Sequence, residues 1–238
     1  MNTTKSNGRL RIPAMLMALL LLVSLFTLPV SAAADDIVLT IIHINDTHGR
    51  TGAEPYIAGL ANELKSGNVL ILDAGDRLHG QTVTNLSRGE SMVGIMNAVG
   101  YSAMVAGNHE FNFGLERLGE LSELMDFPLL AANVRDADGE NLFESYIVFD
   151  MIGIMVGVFG IATPEILTRT DPRIVAGLTF EDPAETAAEM ITLLANAGCD
   201  IIIALTHLGI DESSLPAHRL RSTANASIYA PGRQTCLT

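Results

Sequence analysis

The run Ile37-Val38-Leu39-Thr40-Ile41-Ile42-His43-Ile44 breaks at once into Asn45-Asp46-Thr47-His48-Gly49. A stretch rich in β-branched side chains reads as a strand, and the polar cluster that ends it reads as a loop. The pattern recurs three times. Residues 69–72 lead to Gly75-Asp76, residues 103–106 to Gly107-Asn108-His109-Glu110, and residues 201–205 to Thr206-His207. Folds that alternate strands and helices build their sites at such strand ends. Carboxylate oxygens mixed with imidazoles suit Mn, Zn, Mg or Fe. An Asp shared between two halves of the set suits a two-metal site that clamps attacking and leaving oxygens.

The rest of the chain alternates in the same way. Helical stretches are expected over 56–65, 91–98 and 115–125, the last with Leu115, Leu118, Leu121, Leu124 and Met125 on one face. A short strand is expected over 128–134. Two more, over 146–149 and 154–161, are joined as a hairpin by Asp150-Met151-Ile152-Gly153. Asp182 caps a helix over 183–197, with Pro183 at its first position and Gly198 ending it. Alternation of this kind predicts a layered α/β fold.

The 238 residues leave room for one domain with a substantial core. Lys5, Arg9 and Arg11 precede an apolar run over 12–30, and Ser31-Ala32-Ala33-Ala34 follows. These three parts read as a signal peptide over 1–34 and imply an exported product, periplasmic, cell-surface or extracellular. An uncleaved anchor helix is the other reading; Pro13, Pro29 and the small-residue tract favour cleavage. No Cys follows the run, which argues against a lipid anchor. All 27 acids lie at or after Asp35, against 11 of the 14 bases, so the remainder carries −16. That charge disfavours nonspecific binding to nucleic acid but not a phosphate substrate, because bound cations would invert the local field. Cys199 reads as a buried thiol at a strand entry. Cys236 lies near the end, and no disulfide is expected between them.

In this order, Asp46-x-His48, Gly75-Asp76, Gly107-Asn108-His109-Glu110 and Thr206-His207 resemble the motifs of the calcineurin-like metallophosphoesterases. The flanking residues, Leu39 through Gly49 and Gly107-Asn108-His109-Glu110-Phe111, are similar to those of secreted bacterial 5′-nucleotidases. That branch also holds nucleotide-sugar hydrolases and 2′,3′-cyclic-nucleotide phosphodiesterases. The resemblance runs from about residue 37 to about residue 215.

It implies a layered metallophosphoesterase sandwich with two divalent metal ions, hydrolysing small phosphate esters, nucleotides foremost, by metal-bound hydroxide. Neither nucleic acid nor a stable membrane partner is implied. The resemblance assigns Asp46, His48 and Asp76 to the first ion, and Asp76, Asn108 and His207 to the second, with Asp76 as the bridge. The two-residue spacing of Asp46 and His48 lets both turn towards one ion. His109 stands beside the ions, contacts the phosphoryl oxygens and protonates the leaving group. The family's nucleotidases often carry Asp three residues after this His. Asn112 stands there instead, as in the cyclic-nucleotide branch, and it holds the imidazole without supporting its charge. Asp73 and Glu110 read as structural, His43 as a buried, hydrogen-bonded residue, and His79 as peripheral.

The family continues into further strands, a Gly-His-x-His motif that gives each ion one more ligand, and a nucleoside-recognition domain. None follows Pro216 here. The expectation is a catalytic domain over 35–216, incomplete at its C-terminus, then an unpatterned tail over 217–238 holding His218. The alternative function is an exported fragment that binds metal weakly and catalyses little.

Overall fold

A computed structural model describes residues 37–64, 68–209 and 226–229. The expected leader, Cys236, His218 and most of the tail lie outside the described residues. Strands β1 (Thr40–Ile44), β2 (Val69–Asp73), β3 (Ala103–Val105) and β4 (Leu129–Leu130) form one sheet in that order, every pair parallel. Their near-continuous apolar runs follow from burial on both faces. Ile71 and Met104 face a layer holding Met92, Met96, Leu118 and Leu121, and Leu70, Leu72, Ala103 and Val105 face the second sheet.

The second sheet contains β6 (Tyr146–Met151), β7 (Ile154–Ala162), β9 (Ile201–His207) and β10 (Ala226–Tyr229), in the order β10-β9-β7-β6. Only β7 and β9 are parallel. The sheets meet closely where β7 crosses β4. A Cβ on Gly160 would fall 2.4 Å from the Leu130 Cβ, so only glycine fits there. Phe159, Ile161 and Ile202 point outward onto Met190 and Leu194 of a covering helix. The result is a helix–sheet–sheet–helix stack. Among the described residues no helix is long and apolar enough to cross a membrane.

Helices α1 (Glu54–Glu63), α2 (Thr82–Leu86), α3 (Glu90–Val99), α4 (Leu115–Leu124), α5 (Ile166–Arg169) and α6 (Pro183–Asn196) complete the fold, with a 3-10 turn at His109–Phe113. The Asp182 carboxylate caps α6 by accepting from the Ala184 and Glu185 amides at 2.8 and 2.9 Å. Gly198, at φ +87°, lies just past its end.

Four expectations need correction. Leu124 is 48 % exposed, because the buried stripe of α4 runs through Leu118 and Leu121 to Met125. Asp150 and Met151 belong to β6, so the hairpin turns on Ile152 and Gly153 alone, at φ +55° and +81°. The strand expected over 128–134 is two strands: β4, and β5 (Val134–Arg135), which pairs with β8 (Thr179–Phe180). The stretch 217–238, expected to hold no strand, contributes β10. Four residues are too few to show a period, and β10 forms by pairing antiparallel with β9.

Candidate active site

Because β1, β2 and β3 run parallel, their carboxyl-terminal loops emerge at one edge, and backbone bonds zip the first two together. Asp46, His48 and Gly49 donate their amides to the carbonyls of Gly75, Asp76 and Arg77 at 3.0, 2.9 and 3.0 Å. Asp46, His48 and Asp76 adopt left-handed φ of 52°, 48° and 58°. That conformation costs a non-glycine residue on the order of 1 kcal/mol, so surrounding contacts must hold it.

Glu110 supplies many of those contacts from the third loop. Its carboxylate is fully buried and accepts four backbone N–H bonds, from Asp76 and Gly107 at Oε2 and from Arg77 and Leu78 at Oε1, at 2.7–3.0 Å. Gly107 lets the loops touch: a Cβ there would lie 2.4 Å from Asp76 Oδ1. Strand β9 of the second sheet brings its last residue to these loops, where His207 Nδ1–H donates to the Ala74 carbonyl at 2.7 Å.

The ligating atoms gather into two triads, His48–Asp76–His109 and Asp46–Asp76–His207, each within 4.8 Å. Asp76 belongs to both. Asp46 and His48 each lie in one of these groups and share Asp76 as a neighbour. Asn108 lies half-buried between Gly107 and His109 at the head of the 3-10 turn. Asn112 Nδ2 stands 2.7 Å from His109 Nδ1.

The triads fit divalent cations. With Nδ1–H committed to Ala74, His207 turns its Nε2 towards Asp76 Oδ2, 3.5 Å away. An imidazole nitrogen and a carboxylate oxygen placed in this way can both ligate one cation. Donation from Nδ1 to a carbonyl is also how ligating histidines are commonly oriented.

Sequence reading missed two residues. His79 was expected to be peripheral, yet its ring stacks on His109 with centroids 5.4 Å apart and planes within 5°. Burial first, then the His109 and His48 rings, lower its pKa. Arg77 is wholly buried. It donates to Thr47 Oγ1 at 2.7 Å, to the Tyr101 hydroxyl at 2.6 Å and to Glu54 Oε1. Thr47 sits between two candidate ligands, so Arg77 tethers their loop from beneath. His43 is half-buried, and its Nε2 has no hydrogen-bond partner, contrary to expectation. Burial lowers its pKa.

Asp73 shares this guanidinium at a poor distance, 3.5 Å from Oδ2 to Nε. One cation therefore faces two buried carboxylates, and Glu54 holds it more closely. Burial pushes the Asp73 pKa from 3.8 up to about 7, against the pull of Arg77. An acid with a raised folded-state pKa keeps a proton that the unfolded chain releases. Its contribution to stability is therefore present in acid and lost as pH rises from about 4 to about 7. Asp73→Asn should remove that dependence. Denaturant unfolding at pH 5 and pH 8 should show the variant gaining on wild type by up to about 3 kcal/mol between the two. Parallel pH profiles would show that Asp73 is already ionised in the fold.

Comparison with known proteins gives a consistent picture. A family model described as calcineurin-like phosphoesterase matches residues 39–230. The chain is 38% identical over 186 residues to a 5′-nucleotidase of Vibrio cholerae, covering 72% of this chain and 34% of that relative. The crystal structure of the calcineurin-like phosphoesterase YfkN from Bacillus subtilis is similar at TM-score 0.64 and 28% identity, covering 75% of this chain and 64% of that one. A 5′-nucleotidase precursor from Thermus thermophilus matches at 0.63 and 31%, covering 72% and 37%. The chain spans about a third of the length of the curated relatives it matches.

Proposed function

The chain belongs to the calcineurin-like phosphoesterase family, and from that premise we propose that it carries the catalytic residues of a metal-dependent hydrolase of small phosphate esters, nucleotides foremost. The observation that carries this reading is the pair of His/Asp triads sharing Asp76 at one strand edge. Asp46, His48, Asp76 and His207 would hold two divalent cations, with Asn108 as a neutral oxygen donor beside them; His109, whose ring nitrogen lies in the first triad, stands next to the cations as the group that meets the substrate. When bound, such cations neutralise phosphoryl charge and lower the pKa of water.

The chain's own residues do the rest. The shared Asp76 carboxylate fixes the spacing of the two triads, and the buried Glu110 carboxylate fixes the Asp76 backbone. With the Asn112 amide donating to Nδ1, the His109 ring carries a proton on Nε2. That N–H can donate a hydrogen bond to a phosphoryl or departing oxygen as negative charge develops there. Asn112 supplies no negative charge to support an imidazolium, so donation of a hydrogen bond suits this His better than transfer of its proton.

The test uses three substrates: a nucleoside 5′-monophosphate, a nucleoside 2′,3′-cyclic phosphate and an aryl phosphate. Hydrolysis is expected to stop with chelator and return with Mn or Zn, and the two nucleotides compared against each other report which ester the site prefers. A chain that binds these cations yet hydrolyses none of the three would defeat the reading.

A further inference from the structure

Asn112 has two neighbours, and only one belongs to the reaction described above. Its amide nitrogen lies 2.7 Å from His109 Nδ1 and 3.3 Å from His79 Nδ1. An amide NH2 carries two hydrogens and can serve both rings only if both Nδ1 atoms are bare. The two rings are parallel within 5°, and Phe113 closes on His79 edge-on, with centroids 5.2 Å apart. His79 is therefore clamped between Phe113 and His109 while its Nδ1 faces the shared amide. Its place is set by the turn into α2: a Cβ on Gly80 would fall 2.4 Å from the His48 carbonyl oxygen.

We propose that His79 is a positioning residue for His109, fixing the Asn112 amide so that His109 keeps its proton on Nε2 and its ring in the parallel stack. A lone Asn beside His109 can present either its oxygen or its nitrogen to Nδ1, and the two choices place the ring proton on opposite nitrogens. The second ring couples the two choices: with both Nδ1 atoms bare the amide turns its nitrogen to both rings, the arrangement found at 2.7 and 3.3 Å, whereas Nδ1–H on both would call for its oxygen. The consequence for turnover rests on the phosphoesterase reading; the tautomer itself does not.

Nitrogen-15 spectra of the imidazoles test this in the full chain. They are taken with chelator present, well above the ordinary histidine pKa of about 6.5. Wild type should show His109 and His79 both protonated at Nε2. His79→Asn puts a carbonyl acceptor where Nδ1 stood, for the second amide hydrogen, and should leave His109 unchanged. His79→Phe keeps the stack but not the acceptor, and should turn His109 into a mixture of tautomers. Asn112→Asp, whose carboxylate can only accept, should move the proton to Nδ1 on both rings, a result available even if His79→Phe fails to fold. A fixed His109 in His79→Phe, or a response of His109 alone in Asn112→Asp, would overturn the proposal.

With Mn restored, kcat on the aryl phosphate should follow the same order. His79→Asn should match wild type, and His79→Phe should be about tenfold lower at unchanged KM, the loss common for residues that orient a functional imidazole. If the tautomers respond while no form turns over substrate, the positioning holds and the phosphoesterase reading falls.

Discussion

Asp76→Asn should empty both triads at once. The carboxylate is 4 % exposed and is the one residue common to His48–Asp76–His109 and Asp46–Asp76–His207. Its amide analogue keeps the shape and loses the charge. Asn accepts a left-handed φ as readily as Asp, so the +58° backbone need not move. Oδ1 can still accept the His109 amide, now 2.8 Å away, and the four N–H bonds to Glu110 are untouched. Folding stability should stay within about 1 kcal/mol of wild type. Cation binding should not survive. Metal analysis after exchange into Mn should find the ion retained by wild type and lost from the variant. Turnover should fall by about 10³-fold or more, since removing one preorganised charged partner from such a site already costs about 10²–10³. His207→Ala and His48→Ala each strip one triad and should leave partial binding, which separates a shared ligand from an ordinary one. A variant that keeps both cations would show that Asp76 bridges nothing.

The ends of β1, β2, β3 and β9 were legible because residue type and strand period coincide there. Asp, His and Asn directly after apolar runs have few structural reasons to recur four times. The contacts that hold those residues were not legible. Glu110 reads as structural, but what it holds does not show in the sequence: only the fold brings the amides of Asp76, Arg77, Leu78 and Gly107 to its carboxylate. His79 was invisible for a related reason. Its distance along the chain from His109 says nothing about a stack that the fold of α2 against the His48 loop creates. The strand β10 depends on an edge of β9 far away in sequence.

Arg77 shows how far the support extends below the ligands, and its loss should be the largest single blow to stability. A charged residue just past a strand end reads as solvated, yet this one is 0 % exposed. It faces Glu54, itself 4 % exposed, and the Tyr101 hydroxyl, which also donates to Glu54 at 3.1 Å. Arg77→Leu keeps much of the volume and strands the Glu54 carboxylate in the interior. Removing one partner of a buried pair costs about 3–5 kcal/mol, whereas removing both can be close to neutral. Denaturant unfolding near pH 7 should therefore show a severe loss in Arg77→Leu and a substantial recovery in the double variant with Glu54→Leu. The double variant carries a second signature. Thr47 no longer has its guanidinium donor, so the loop between Asp46 and His48 loses its tether even where the fold is restored. Stability should return while cation affinity remains about tenfold or more below wild type, the scale on which residues behind metal ligands act. If affinity and stability recover together, Arg77 serves the core alone and the loop holds its own shape. If neither recovers, the Glu54 carboxylate is not what Arg77 exists to neutralise, and Asp73 becomes the partner to remove next.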